Sequence, residues 1–197
     1  MAHLVLFHSV LGLRTSVLDT AELLRNEGHT VHTPDLYEGK TFDDYQEASA
    51  FVEAVGGRHE LMSRTAAAVA EIHEPLVYAG FSNGGASAEY LACTRRGARA
   101  AVLFHAALPL VAFGVQSWPG SVPVQVHYAE KDPFREQVSI DALASAVQAS
   151  GARYEFCEYP ATGHLFSDSG LPEEFDQASA QVMLSRAVAF LAALPAI

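Results

Sequence analysis

The run Gly80-Phe81-Ser82-Asn83-Gly84-Gly85 follows a short apolar stretch, Leu76–Gly80, and leads into a helical pattern. This is Gly-x-Ser-x-Gly spacing in a strand, turn, helix context. A serine on so tight a turn has a strained backbone, and the residues two before and two after it crowd together. Glycine at both places removes the obstructing side chains. The turn lifts the hydroxyl above the sheet, and the N-terminus of the next helix favours a developing negative charge. The Asn83 amide is then placed to donate to an oxyanion. The alternative is a turn without chemistry, or a weak phosphate cradle; no Gly-Lys-Ser/Thr follows, so a Walker loop does not fit.

A serine hydroxyl needs a base held in the right tautomer before it can attack a carbonyl. On an α/β-hydrolase sheet the order is serine, acid, histidine, each on a loop after a later strand. Asp132 lies in the loop Ala129-Glu130-Lys131-Asp132-Pro133, and His164 in Ala161-Thr162-Gly163-His164, both after predicted strands. Order and location make Asp132 the acid and His164 the base. Glu130 is the competing acid, and a turn starting at Asp132-Pro133 is the competing role for Asp132. Among the eight other histidines, His8 and His105 end strands on the edge where the serine sits and are candidates to line its pocket.

Elements alternating along the chain must bring these residues to one edge. Strands are predicted at His3–His8, Thr30–Thr33, Leu76–Gly80, Ala100–His105, Val122–Tyr128 and Arg153–Tyr159, mostly continuous apolar runs of the kind buried on both faces of a parallel sheet. Helices are predicted from a Ser16/Asp19 capping box to Gly28, then over Phe42–Val55, Glu60–Ile72, Asn83–Arg96, Glu136–Ala149 and Phe175–Leu194. Glu173, Glu174 and Asp176 are read as dipole-compensating acids at the start of the last helix. The pattern predicts an α/β chain with helices on both faces of a mostly parallel sheet, and ligands at the carboxyl ends of its strands.

Composition bounds the rest. The chain has 197 residues, 50% of them apolar and 18% charged, which excludes intrinsic disorder and supplies a sizeable core. Residues 1–197 read as a single domain. The net charge of −11 and the lack of a basic stripe argue against nucleic acid. No segment reaches the length of a membrane span, and the apolar opening lacks a basic leader, so the cytoplasm is the expected setting. Cys93 and Cys157 lie far apart and are expected to be inert buried thiols.

With these residues in hand, the chain resembles the dienelactone hydrolase family of α/β-hydrolases along nearly its whole length. The matching stretches are Leu11-Gly12, Thr33-Pro34-Asp35-Leu36-Tyr37, the Gly80–Gly84 elbow, Asp132 and Gly163-His164. The resemblance implies a compact α/β-hydrolase fold of about six strands in the order 2-1-3-4-5-6, without a separate lid domain. It implies further that the loop His8–Gly12 carries a second oxyanion donor, the Val10 amide; the alternative is that Val10 only packs at the edge of the core. Three departures stand out. Ser82 replaces the cysteine nucleophile of the founding members, Ser9 takes the place of their thiol-pairing glutamate, and Asp168 replaces a carboxylate-binding arginine four residues after the histidine. With the negative net charge, Asp168 argues against an anionic lactone as substrate.

Phe81, Phe113, Trp118, Phe134 and Phe166 fall in loops expected to face the catalytic edge, where they could form an apolar acyl pocket or simply pack the core. The segment 106–122 is either a small flap over the site or a packed surface loop. Arg14, near a helix N-terminus, could hold a substrate carboxylate or be a solvated surface cation. The resulting expectation is a cofactor-free, metal-free serine hydrolase of small esters or lactones, with a small-molecule ester or lactone as its partner and neither nucleic acid nor membrane. A non-catalytic binding module on the same fold, or acyl transfer to an alcohol or amine, are the competing readings. No sequence feature sets an oligomeric state.

Overall fold

The apolar runs pair into one six-stranded sheet because residues with apolar side chains on both faces can be covered only by helices on both sides. A computed structural model describes residues 1–195; Ala196 and Ile197, which end the expected single domain, lie outside the described residues. The strands are β1 (His3–Phe7), β2 (Thr30–His32), β3 (Leu76–Phe81), β4 (Ala98–Phe104), β5 (Val124–Ala129) and β6 (Tyr154–Tyr159). Every neighbouring pair is parallel, in the order β2-β1-β3-β4-β5-β6. This is the expected order, with the reversal between β1 and β3.

Alternate strand residues feed two cores. Leu4 and Leu6 face α1 (Thr15–Asn26) and α6 (Gln177–Ala192), whose Val17, Ala21, Leu24, Met183, Ala187 and Phe190 cover that side. Val5 and Phe7 face the opposite layer, built by α2 (Tyr45–Ala54), α3 (Gly57–Ala68), α4 (Asn83–Thr94) and α5 (Gln137–Ala149). Among the described residues no helix is long and apolar enough to cross a membrane.

Several helix starts differ from the expected ones; α2 begins at Tyr45, capped by Asp44, rather than at Phe42, and α6 at Gln177 rather than at Phe175. Ser16 does not cap α1: the helix begins at Thr15 after Arg14, which gives no side-chain cap, while the Arg14 carbonyl accepts the Val17 amide at 3.1 Å. α3 begins at Gly57 rather than Glu60, because Gly56 (φ 117°) and Gly57 (φ 67°) reverse the chain in two residues that only glycine adopts without strain. For α6 the acids act differently from one another. Asp176 is a true cap, accepting from the Ser179 amide at 2.7 Å, whereas Glu174 lies before the helix and turns back toward the site.

Candidate active site

β3 delivers Ser82 at its carboxyl end in a conformation few non-glycine residues adopt, with φ 53° and ψ −116°. The Ser82 amide donates to Phe104 O at 2.8 Å, and its carbonyl accepts from Ala86 at 3.1 Å, so the strain is held from the strand side and the helix side at once. The flanking glycines are required by contact. A Cβ at Gly80 would lie 2.1 Å from Gly84 O, and one at Gly84 would lie 2.3 Å from His8 O and 2.4 Å from Phe7 O. The backbones of β1, β3 and α4 therefore meet closely around the serine.

His164 Nε2 is 2.8 Å from Ser82 Oγ, and His164 Nδ1 is 2.8 Å from Asp132 Oδ2. The other Asp132 oxygen accepts from the Phe134 amide at 2.8 Å, so both lone-pair faces of a buried carboxylate are engaged. That carboxylate fixes the proton on Nδ1 and leaves Nε2 to accept from the serine. The loop carrying His164 is held by Glu174, whose Oε2 accepts from the Leu165 amide at 2.7 Å and from the Tyr45 hydroxyl at 3.1 Å. Burial, then the Glu174 charge, push the Tyr45 phenol upward, keeping it a donor. Gly163 lets the loop pass: a Cβ there would meet Glu174 Cβ at 2.5 Å. Glu174 is thus a support of the site that its position in sequence did not show.

Across the switch point, His8 sets the loop after β1. Its Nδ1–H donates to Ser9 O at 2.7 Å and its Nε2 accepts the Leu36 amide at 3.0 Å, an arrangement only the neutral ring satisfies. Burial lowers its pKa, outweighing the Ser9 carbonyl contact that raises it. Ser9 O also accepts from Gly12 at 3.1 Å. In a trans peptide the N–H points opposite to the carbonyl, so anchoring Ser9 O turns the Val10 N–H the other way. Val10 and Asn83 both line the cavity at Ser82, and neither amide donates to another backbone group among the described residues.

That cavity holds about 380 Å³ and is lined by Tyr45, Ala106, Leu108, Tyr128 and Phe134 beside Ser82 and His164. Of the aromatic residues expected there, Phe134 is present, half-exposed, with its ring edge on His164 at 4.9 Å. The others are placed elsewhere. Phe81 is buried and stacked on Phe104 at 4.6 Å. Trp118 is buried, with its indole N–H donating to Val122 O at 2.7 Å. Phe166 is fully buried between His105 and Tyr159, and Phe113 lies under the Arg58 guanidinium. They are core or surface-packing groups, because the loops that carry them fold back onto the two hydrophobic layers. Burial of Leu110 and Trp118 likewise anchors the segment 106–122 as a packed loop whose first residues form a cavity wall.

Arg14 is neither free nor at the cavity. Its Nε donates to Asp168 Oδ2 at 2.7 Å, and its guanidinium reaches Asp43 Oδ1 and Phe42 O, both at 2.6 Å. It ties three loops together, and Asp168 is ion-paired in the process and does not line the cavity. Charge at the site is set instead by the cavity wall, where no lysine or arginine is found among the described residues and Glu136 is the one rim carboxylate. Tyr45, Ser49, Tyr128 and Glu136 are lining residues that sequence patterning did not single out. Cys93 and Cys157 are half-buried rather than buried, with burial pushing both thiols up.

The sequence matches the profile of the dienelactone hydrolase family over residues 2–194. A comparison with curated proteins finds no match. Among solved structures, the chain is similar to the dienelactone hydrolase-like promiscuous phosphotriesterase P91 from metagenomic libraries (22% identity, TM-score 0.81, covering 98% of this chain and 87% of that one). It is also similar to esterase PE8 (16%, TM-score 0.66, 98% and 93%) and to a butyrate-bound thermophilic esterase from Thermogutta terrifontis (16%, TM-score 0.59, 97% and 82%). At these identities the structures share the fold.

Proposed function

This chain belongs to the dienelactone hydrolase family, and on that premise we propose that it is a serine hydrolase of small, uncharged carboxylic esters or lactones, working through an acyl-enzyme on Ser82. The observation that carries the reading is the continuous chain Ser82 Oγ, His164 Nε2, His164 Nδ1, Asp132 Oδ2, with both links at 2.8 Å.

As Ser82 Oγ attacks the carbonyl carbon, its proton passes to His164 Nε2. Asp132 stabilises the imidazolium, and the carbonyl electrons move onto oxygen, where the Val10 and Asn83 amides receive the charge. Collapse breaks the bond to the leaving oxygen, which takes the proton from His164. In a lactone that oxygen remains tethered to the acyl chain. Water then gives a proton to His164 and attacks the acyl carbon, and Ser82 leaves with its proton restored. No step calls for a metal or cofactor. A cavity without lysine or arginine supports uncharged substrates over carboxylates.

A fluorophosphonate probe tests the proposal. Folded protein labels at Ser82, unfolded protein and Ser82→Ala do not, and Ser82→Ala loses ester hydrolysis by about ten-thousand-fold or more. A folded protein that resists the probe would be a binding module instead.

A further inference from the structure

The carboxyl of Glu89, on α4, is fully buried, and its Oε1 has no hydrogen-bond partner among the described residues. Its Oε2 accepts from the Leu108 amide at 3.0 Å. Desolvation pushes the group up to about 8, so the neutral acid predominates at pH 7 and acts as an acceptor without a paired cation. No step of the ester chemistry uses it. An unbranched apolar side chain would fill the same space without burying an unpaired oxygen, so the bond to Leu108 is what the carboxyl supplies.

Leu108 needs that bond because its own stretch of backbone supplies no partner. After β4 the chain turns at His105 (φ 58°) and continues through Ala106, Ala107 and Leu108 without regular structure. None of these three residues pairs an amide or carbonyl with another backbone group among the described residues. Pro109 follows and disfavours a helical Leu108, so the stretch does not close a turn of its own. One face of α4 holds it instead. Gly85 and Glu89 are four residues apart and lie on that face. A Cβ at Gly85 would come within 2.5 Å of Ala106 Cβ, so Ala106 rests against the first turn of the helix, and Glu89 takes Leu108 one turn on. Between them the Ala107 amide faces the Tyr128 hydroxyl. Ala106, Ala107 and Leu108 line the cavity beside Ser82, and Leu108 is the one large side chain of the three.

We propose that Glu89 is a positioning residue that sets the chain length of the preferred ester: by fixing the Leu108 backbone it gives the cavity a constant reach on that side. Glu89 touches no substrate atom and acts through Leu108 alone. The inference rests on the serine hydrolase reading of the same cavity.

The test measures kcat/KM along two series, from 4-nitrophenyl acetate to 4-nitrophenyl decanoate and from methyl butyrate to octyl butyrate. In one series the wild-type protein peaks at one chain length and falls by about tenfold or more at the longest member, as a fixed apolar wall requires. Glu89→Met fills the space without an acceptor and should flatten that profile to within about threefold. Glu89→Gln keeps an amide oxygen for the Leu108 N–H and should retain the peak, a rescue that general loss of packing would not show. A flat wild-type profile in both series, a peak kept in Glu89→Met, or a peak lost equally in Glu89→Gln overturns the proposal.

Two further measurements do not depend on the folding of Glu89→Met. In wild-type protein the Leu108 amide should exchange with solvent about a hundredfold or more slowly than an unprotected amide; free exchange overturns the proposal. Leu108→Ala, with Glu89 intact, should move the peak to longer chains, and an unmoved peak overturns it. Turnover of no ester in either series, with Ser82 unlabelled by fluorophosphonate, refutes the hydrolase reading together with this one. Turnover with a profile indifferent to Glu89 refutes only the role of Glu89.

Discussion

Replacing Gly84 by alanine sets two physical effects against each other. Gly84 is the second residue of α4, where alanine for glycine stabilises an ordinary interior helical position by about 1 kcal/mol. Here the new Cβ would lie 2.3 Å from His8 O and 2.4 Å from Phe7 O, where ordinary contact begins at 3.4 Å. Neither carbonyl can rotate away, because Phe7 ends β1 and His8 is held by its ring bonds to Ser9 O and the Leu36 amide, so this segment and α4 must separate by on the order of 1 Å. Overpacking of this kind costs about 1–3 kcal/mol, which at its midpoint exceeds the helical gain by about 1 kcal/mol and lowers Tm by roughly 3 °C in a chain of this size. The displacement falls between the two amides proposed to bind the oxyanion. A misplacement near 1 Å there should lower kcat by about a hundredfold while KM changes little. Thermal melts and steady-state kinetics on 4-nitrophenyl butyrate read both effects. A Gly84→Ala protein melting higher than wild type with undiminished kcat would refute the close-packed elbow.

Asp132→Asn should retain the fold and lower kcat by about ten-thousand-fold, because the amide can favour the wrong His164 tautomer; a loss below tenfold would remove Asp132 from the mechanism. Arg14→Ala should leave Asp168 largely buried and unpaired, destabilising the chain by about 2–4 kcal/mol in denaturant titration while the ratio of kcat/KM for anionic against neutral esters stays constant. A changed ratio would restore Arg14 as a substrate contact. Buried Glu89, pushed up to about 8 chiefly by desolvation, binds its proton more tightly folded than unfolded. Its contribution is therefore complete below its unfolded value near 4.3 and is lost as pH rises through 8, at up to about 1.4 kcal/mol per pH unit. Desolvation lowers His105 and His127 instead, and their contributions are lost as pH falls below about 6.5. Stability should peak near neutral pH, and Glu89→Gln should flatten the alkaline limb; an unaltered limb would mean Glu89 is not its cause.

What the sequence made legible and what it hid have different physical origins. Ser82, Asp132 and His164 could be placed on one edge because each follows a strand, and parallel strands bring their following loops together however far apart they are in sequence. The glycines around Ser82 were legible because the turn leaves no room for a Cβ. The cavity wall was not, because aromatic character does not distinguish a core position from a lining one: Trp118 and Phe166 went inward while Phe134 stayed at the mouth. The Arg14–Asp168 pair joins residues 154 positions apart, and Tyr45–Glu174 joins residues 129 apart, distances over which local pattern carries no information. Glu174 resembles a helix-start acid locally, and only the tertiary structure turns it toward the His164 loop.

Hydrolysis through an acyl-enzyme requires a covalent acyl group on Ser82 during turnover. Acid quenching of the protein with 4-nitrophenyl butyrate in the first turnovers, followed by mass spectrometry of its peptides, measures this directly. The expected result is a butyryl adduct confined to the peptide carrying Ser82, appearing with a burst of 4-nitrophenol and absent from Ser82→Ala. Steady hydrolysis without any adduct, persisting in Ser82→Ala protein freed of contaminating esterases, would contradict it.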